Sequence, residues 1–125
     1  GGRFGYELKR AGYDGIVIIG KSENPKVIYI KNEKVSIEDA SDLWGLDIYS
    51  TQEKIKKLGE FSVMTIGPAG ENLVHFASVM NDEGRASGRT GLGAVFGSKK
   101  LKAIAVKGNK IIPLYNKSFN SKADP

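Results

Sequence analysis

The sequence predicts an α+β fold in a single domain, and three observations lead to this prediction. The 125 residues have the length of one ordinary domain. Hydrophobic residues make up 40% of the chain and charged residues 26%, a composition that supports one packed core. Strand and short helix patterns follow one another without the regular alternation of doubly wound proteins. We expect the domain to span residues 1–117, with a polar tail or linker at 118–125.

The first third of the chain predicts one helix and three strands. Residues 4–13 form a helix, because apolar side chains recur there at helical spacing and Gly12 can end it. Residues 15–20 are expected to form a buried strand, since four consecutive residues of this segment are β-branched. Residues 26–31 and 34–38 alternate between two faces around a short polar turn, which indicates a hairpin.

The rest of the chain predicts a further mixture of short elements. Residues 39–44 form a helical turn ahead of Gly45, and residues 50–58 form a helix whose start, Ser50 with Glu53, fits a capping box. The remaining predicted elements are a strand at 61–66, a turn at 67–70, a strand at 73–80, a glycine- and arginine-rich loop at 81–91, one or two helical turns at 93–98 and a strand at 102–106.

Composition restricts the chemistry that this chain can perform. It has no cysteine, which excludes disulfides, cysteine-ligated zinc and an iron–sulfur cluster within these residues. No apolar run approaches the roughly 20 residues that cross a bilayer, and we expect a cytoplasmic protein. Abundant lysine and isoleucine indicate either a thermophilic source or an AT-rich genome. The net charge of +5 is concentrated after Glu83, because nine basic and no acidic residues precede Asp124, and this half therefore favours an anionic ligand.

Two segments match nucleotide-binding patterns by letter but not by context. The run from Gly15 to Ser22 reads G-x-x-x-x-G-K-S, yet its variable positions form the predicted strand and no helix pattern follows. The run from Gly91 to Gly97 resembles a dinucleotide-binding turn, but no strand pattern precedes it and no acid follows before Asp124. The sequence therefore favours neither nucleotide hydrolysis nor binding of NAD or NADP.

The segment from Asn81 to Gly93 is the best candidate for a binding site, because it holds four glycines and two arginines. Glycine allows positive φ and close approach of the backbone to a ligand, and successive N–H groups in such turns bind anions. Arginine offers paired donors that match phosphate oxygens. These residues favour a phosphate-bearing cofactor; the alternative is a surface loop whose arginines pair with Asp82 or Glu83.

Several strings of residues occur together in one known family. They include Gly1-Gly2, Phe4-Gly5-Tyr6-Glu7-Leu8, Ala11-Gly12-Tyr13-Asp14, Ile66-Gly67-Pro68-Ala69-Gly70-Glu71-Asn72-Leu73, Gly84-Arg85-Ala86, Gly88-Arg89 and Gly91-Leu92-Gly93-Ala94-Val95. This combination resembles the N-terminal domain of the aldehyde:ferredoxin oxidoreductase family, and the agreement runs from the first residue to about Gly108.

The resemblance implies a tungstopterin cofactor, in which tungsten (alternatively molybdenum) lies between two pterins and magnesium bridges the pterin phosphates. Enzymes of this family oxidise aldehydes to carboxylic acids and pass electrons through a 4Fe-4S cluster to ferredoxin. No catalytic side chain is carried over to this chain. The residues that align with cofactor contacts are Gly1, Arg85, Ala86, Ser87, Gly88 and Arg89, and the backbone carbonyl of Ala86 aligns with a magnesium ligand.

The family's cluster cysteines lie downstream of the matched region, so the resemblance implies a portion of a catalytic chain that is inactive alone. Its expected partners are the remainder of the oxidoreductase chain or a separate large subunit, with ferredoxin for the whole enzyme and homodimerisation left open. Two alternatives remain. One is a stand-alone module for phosphate or nucleotide, with nucleic acid less favoured, and the other is a remnant without redox activity.

Overall fold

The structure, a computed structural model, describes residues 2–73, 79–81, 86–87 and 92–111 of the chain. None of the helices in these ranges is long and apolar enough to cross a membrane. The elements in chain order are α1 (Gly2–Arg10), β1 (Lys26–Lys31), β2 (Lys34–Asp39), α2 (Ile48–Lys56), β3 (Ser62–Thr65), α3 (Pro68–Glu71), β4 (Val79–Asn81), β5 (Ala86–Ser87), α4 (Leu92–Ser98) and β6 (Leu101–Lys107).

The six strands form one mixed sheet in the order β2-β1-β6-β3-β4-β5. β1 pairs with β6 in parallel, and the other four neighbouring pairs are antiparallel. β6 lies inside the sheet and is buried over six of its seven residues, which explains why its sequence is almost continuously apolar. The mixed sheet with short helices confirms the predicted α+β class.

The hairpin of β1 and β2 is confirmed, and its pairing runs from Lys26 opposite Asp39 to Lys31 opposite Lys34. The tight turn places Asn32 at a φ of 54°, a left-handed conformation that asparagine tolerates better than most residues. β2 forms one edge of the sheet, and all six of its residues are exposed.

Apolar side chains cover both faces of the sheet. On the face that we call the first face, α1 and α4 pack over β1, β3 and β6 through a cluster that includes Phe4, Leu8, Phe96, Ile104 and Val106. On the second face, α2 and the turns around residues 40–46 pack over the same strands through a cluster that includes Val27, Leu43, Ile55, Val63 and Ala103. A sheet covered on two sides buries most of the apolar surface that the composition supplies.

The predicted strand at 15–20 is wrong, because these residues form no regular secondary structure. β1 already has β2 on one side and β6 on the other, so no strand edge of β1 is available to residues 15–20. The predicted turn at 67–70 is instead the short helix α3, which begins at Pro68 after Gly67.

The capping box at Ser50 is also wrong. The helix α2 begins at Ile48, and its N-cap is Asp47, three residues before Ser50. The Asp47 side chain accepts a hydrogen bond of 2.7 Å from the Ser50 backbone N–H. An aspartate at this position serves the same purpose as the predicted serine, so the local sequence permitted both readings. Of the predicted strand at 73–80, the described part begins only at Val79, and Leu73 has a φ of 61° outside any strand.

The other predicted elements are confirmed with small shifts at their ends. They are the helix at 4–13, the turn at 39–44, the strands at 61–66 and 102–106, and the helix at 93–98. The predicted domain boundary at residue 117 and the tail after it lie outside the described residues.

Candidate functional site

Two of the six predicted cofactor contacts lie in β5, at the edge of the sheet opposite to β2. Ala86 and Ser87, which the sequence predicts to lie in a loop, form the two-residue strand β5 and pair with Met80 and Val79 of β4. The other predicted contacts, Gly1, Arg85, Gly88 and Arg89, lie outside the described residues. The structure thus brings together two of the six predicted residues and shows how their backbone is held.

β5 presents backbone groups that β4 does not use. Within the described part of the chain, β5 pairs with β4 alone. In an antiparallel ladder, residues alternate between those that bond the partner strand and those that point their N–H and C=O away from it. One of Ala86 and Ser87 therefore directs a carbonyl and an amide outward from the sheet. A carbonyl oxygen is a suitable ligand for magnesium, and an amide N–H suits a phosphate oxygen.

α4, which follows the loop, is held against α3 by an unusually close contact. A Cβ atom added at Gly97 would overlap the backbone carbonyl of Gly70 and come within 3.3 Å of the Glu71 Cα atom. Only glycine permits this approach of the two helices. Phe96 of α4 is buried in the first-face cluster, so the helix is fixed both to the sheet and to α3.

A buried ion pair fixes α3 to the sheet. The Lys102 ammonium of β6 pairs with the Glu71 carboxylate of α3, and the two side chains are 0% and 4% exposed. Lys102 Nζ also donates to the Leu46 carbonyl oxygen at 2.7 Å. Both carboxylate oxygens of Glu71 accept from the Gly45 N–H at 2.9 Å. Strand, helix and the turn before α2 therefore meet at one point.

A bulge in β6 directs Lys102 to this position. The β1–β6 pairing passes from Lys26 opposite Leu101 to Val27 opposite Ala103, which leaves Lys102 as an extra residue. Burial lowers the pKa of the Lys102 ammonium, while its hydrogen bond and ion pair with Glu71 oppose this shift. The carbonyl oxygen of Lys102 accepts from the Thr65 hydroxyl at 2.9 Å, so the backbone of the bulge is satisfied as well.

α1 carries the chain away from the predicted contact at Gly1, and its far end is anchored to the end of β6. The Gly108 N–H donates to Glu7 Oε1 at 3.3 Å, and the Lys110 N–H donates to the Arg10 carbonyl oxygen at 2.9 Å. A Cβ atom at Gly108 would overlap the backbone of Ala11, so glycine is needed for this contact.

Sequence reasoning missed Lys102 and Glu71 as a pair, although both carried a signal. Lys102 is the one charged residue within an otherwise apolar run from Leu101 to Val106, and a lysine in a central strand needs a buried partner. Glu71 lies in the Gly-Pro-Ala-Gly-Glu string that the resemblance had already singled out. What the pattern lacks is any indication that these two residues, 31 positions apart, meet.

Comparison with known proteins gives one consistent family. A family model described as "Aldehyde ferredoxin oxidoreductase, N-terminal domain" matches residues 1–108. The "Tungsten-containing aldehyde ferredoxin oxidoreductase" of Thermococcus kodakarensis is 57% identical over 120 residues, which cover 94% of this chain and 20% of that protein. The protein of the same name from Pyrococcus furiosus is 56% identical with the same coverage. Relatives from these two genera agree with the predicted thermophilic source.

Two further relatives carry different names. The "Aliphatic sulfonate oxidoreductase, WOR-like subunit" of Pyrococcus furiosus is 42% identical over 129 aligned positions, covering 90% of this chain and 21% of that protein. A solved structure titled "Active site complex BamBC of Benzoyl Coenzyme A reductase in complex with 1,5 Dienoyl-CoA" superposes with a TM-score of 0.83 at 46% identity. It covers 87% of this chain and 17% of the solved chain. The chain thus spans about a fifth of the length of the relatives that it matches.

Proposed function

The chain belongs to the aldehyde ferredoxin oxidoreductase family, and from this premise we propose that it forms the cofactor-binding portion of a tungsten- or molybdenum-containing bis-pterin oxidoreductase. The complete enzyme oxidises aldehydes to carboxylic acids, with ferredoxin as the electron acceptor. This portion is inactive alone, since it spans about a fifth of its relatives and has no cysteine for a 4Fe-4S cluster.

One observation carries the cofactor-binding part of this proposal: the same portion recurs among proteins whose names give different substrates. Relatives at 42–57% identity are named for aldehydes and for aliphatic sulfonate, and the solved structure at 46% identity is named for benzoyl-coenzyme A. A segment with this level of sequence identity serves a function that all of these proteins have in common, rather than the choice of substrate, in which they differ. Cofactor binding is such a shared requirement, whereas the choice of substrate resides in the remainder of the protein.

In the proposed site, the backbone holds the cofactor and the arginines neutralise its phosphates. Arg85 and Arg89 donate paired, charge-assisted hydrogen bonds to phosphate or pterin. Gly1 and Gly88 permit close approach of the main chain. Ser87 would contact the cofactor beside Ala86, whose carbonyl oxygen would hold a magnesium ion and so help to neutralise the phosphates. The outward-facing backbone groups of β5 and the basic second half of the chain support this arrangement.

The bound metal–pterin group supplies oxygen transfer and two-electron oxidation at the metal. The residues of this chain supply orientation and charge. They fix the phosphate ends of the cofactor through a backbone that is tied to the sheet by β4 and to α3 by α4. No proton transfer is assigned to any side chain of this portion.

The test is replacement of Arg85 in the complete oxidoreductase. Arg85→Ala removes charge-assisted hydrogen bonds. The loss of a single one, worth about 1.5–3 kcal/mol, lowers cofactor affinity by roughly 10-fold to 150-fold. Tungsten and pterin content per polypeptide, measured on the purified enzyme, should fall with it. Arg85→Lys keeps the charge without the planar fork and should give an intermediate content.

Lys54→Ala is the matched control, because it removes a positive charge from α2, on the second face of the sheet. It should leave metal and pterin content unchanged. If Arg85→Ala also kept wild-type content and activity, the site would be assigned to the wrong residues. If both variants lost cofactor equally, general charge rather than this loop would be responsible.

A further inference from the structure

A groove lies on the second face of the sheet, between the β1–β2 hairpin and α2. Its volume is about 740 Å³, within the range of roughly 300–1,000 Å³ that is usual for ligand sites. Its floor is apolar and consists of core side chains, namely Val27, Leu43, Ile55 and Phe61. Leu58, which follows α2, also lines the groove and is 68% exposed. The groove therefore offers apolar contact to a molecule that lies along the hairpin.

The register of the hairpin gives the groove two different ends. Alternate residues of β1 and β2 line it, so three cross-strand pairs follow one another along its length. In order, they are a lysine pair, a hydroxyl pair and a pair that ends in a carboxylate: Lys31 with Lys34, Tyr29 with Ser36, and Val27 with Glu38. Because a strand rises about 3.3 Å per residue, the Cα atoms of Lys34 and Glu38 lie about 13 Å apart.

The lysine end of the groove concentrates positive charge. Lys31 lies opposite both Lys34 of β2 and Lys107 of β6, so three like charges are in register across three strands. Like charges directly opposite one another destabilise a sheet. Lys54 of α2 and Lys57, just after it, line the same groove. None of these lysines forms an ion pair with a residue that the structure describes, so a bound anionic group would relieve their repulsion.

The other end of the groove is acidic, and the side chains that line it there are Glu38, Asp39 and Asp42. Asp39 is engaged by Ser41, whose N–H and hydroxyl donate to its carboxylate at 3.1 and 2.9 Å. Glu38 and Asp42 form no ion pair with any described residue. Burial raises the pKa of the Tyr29 hydroxyl above its usual value, and the charges of Asp42 and Glu38 raise it further. The hydroxyl between the two ends therefore keeps its proton and can donate a hydrogen bond.

We propose that this groove binds a short extended peptide segment of a partner protein, with a carboxylate over the lysines and a basic group over the acidic end. The distance of about 13 Å between the charged ends matches four or five extended residues. The apolar floor accepts the side chains between the two charges. The hydroxyls of Tyr29 and Ser36 provide hydrogen-bonding groups for the peptide main chain. An anion without a basic group would satisfy the lysines but leave the carboxylates of Glu38 and Asp42 without a partner.

This inference goes beyond the proposed function and does not depend on which residues hold the cofactor. Isothermal titration calorimetry on the complete oxidoreductase tests it with three capped five-residue peptides. All have leucine, valine and leucine in the middle; one has glutamate at one end and lysine at the other, one has glutamate at both ends, and one has lysine at both ends. The peptide with one charge of each sign should bind about two- to fivefold more tightly than the others, as expected for an exposed charge pair. At about 1 M salt, where the screening length is about 3 Å, most of this preference should disappear.

Substitutions of exposed residues change the charge of each end without touching the core. Glu38→Lys makes both ends basic, so the peptide with two glutamates should become the tightest of the three. Lys34→Gln should lower the affinity of the peptide with both signs about two- to fivefold. Lys9→Gln is the matched control, because Lys9 is an exposed lysine on α1, which packs on the first face. It should bind all three peptides as the wild type does.

Equal affinities of the wild type for the three peptides, or no binding of any of them, would overturn the proposal. An order of affinities in Glu38→Lys that is the same as in the wild type would assign the peptide to another surface and would also overturn it. The titrations are repeated on the Arg85→Ala enzyme. Unchanged peptide affinities there, whatever the metal and pterin content, separate the fate of this inference from that of the cofactor site.

Discussion

Replacement of Lys102 by methionine should destabilise the fold strongly, and the structure gives the magnitude. Methionine keeps most of the length of the side chain but removes the ammonium group that is paired with Glu71. Among the described residues, the Glu71 carboxylate, 4% exposed, then keeps the Gly45 N–H as its remaining donor. The Leu46 carbonyl oxygen loses its 2.7 Å hydrogen bond as well. Breaking a buried pair by removing one partner costs about 3–5 kcal/mol, a large part of the roughly 5–15 kcal/mol that stabilises a domain.

Urea denaturation followed by circular dichroism measures this loss. With a slope near 2 kcal/mol per molar urea, a loss of about 4 kcal/mol lowers the midpoint by about 2 M. The double variant Lys102→Met/Glu71→Gln should recover part of the loss, because glutamine removes the unpaired charge and still offers an acceptor to Gly45. A cost below about 1 kcal/mol for Lys102→Met, or strict addition of the single costs, would refute the reasoning.

The pH dependence of stability gives a second measurement on the same residue. Burial lowers the pKa of Lys102 below its usual value of 10.5, so the folded protein releases this proton before the unfolded chain does. Between the two pKa values the unfolded chain binds more protons, and stability therefore rises with pH in that window. In Lys102→Met this contribution should be absent. If stability depended on alkaline pH in the same way for the wild type and for Lys102→Met, the burial assigned to the Lys102 ammonium would be contradicted.

Two further predictions concern other contacts of the fold. Gly97→Ala should lower the thermal midpoint, because the new Cβ would overlap the Gly70 carbonyl. The overpacking cost of about 1–3 kcal/mol exceeds a gain in helix propensity of about 1 kcal/mol. Gly5→Ala is the control and should not lower the midpoint, since no atom lies within 4 Å of its new Cβ. Hydrogen bonds from Ser50 lower the pKa of Asp47 below 3.8. The stability that this N-cap contributes is therefore present above pH 3.8 and is lost as the pH falls through the pKa of the folded state. Asp47→Asn should remove this acid dependence when stability is measured as a function of pH.

Periodicity in the sequence was enough to predict most of the sheet. The hairpin of β1 and β2 follows from alternation around the turn at Asn32, and β6 follows from the alternation at residues 102–106. Both signals are local, because each residue's place depends on its neighbours in the chain. The α+β class required no more than this, since it depends on which elements exist and not on how they pack.

Sequence patterns that were equally clear gave wrong or incomplete predictions where the structure of a segment depends on residues far away in the chain. Residues 15–20 have the composition of a buried strand, yet a strand requires another strand beside it, and none is present within the described residues. Lys102 looked like one member of an alternating strand, and its bulge is visible only in the pairing with β1. For the candidate site, glycine and arginine content predicted an anion-binding loop, and the family resemblance proposed the residues. All six remain predictions as cofactor contacts, and the structure describes the backbone of two of them, Ala86 and Ser87.

The buried pair and the candidate site are connected through the helices. Residues 82–91 lie between β4, which pairs with β3, and α4, which is locked to α3 at Gly97. α3 in turn depends on Glu71 and Lys102 for its position on the sheet. A cofactor held by main-chain groups needs a rigid backbone, because such groups cannot adjust as flexible side chains do. Burial of Lys102 and Glu71 costs solvation free energy. An apolar pair would fill the same space, but it would not hold α3 in one orientation on the sheet as this ion pair does.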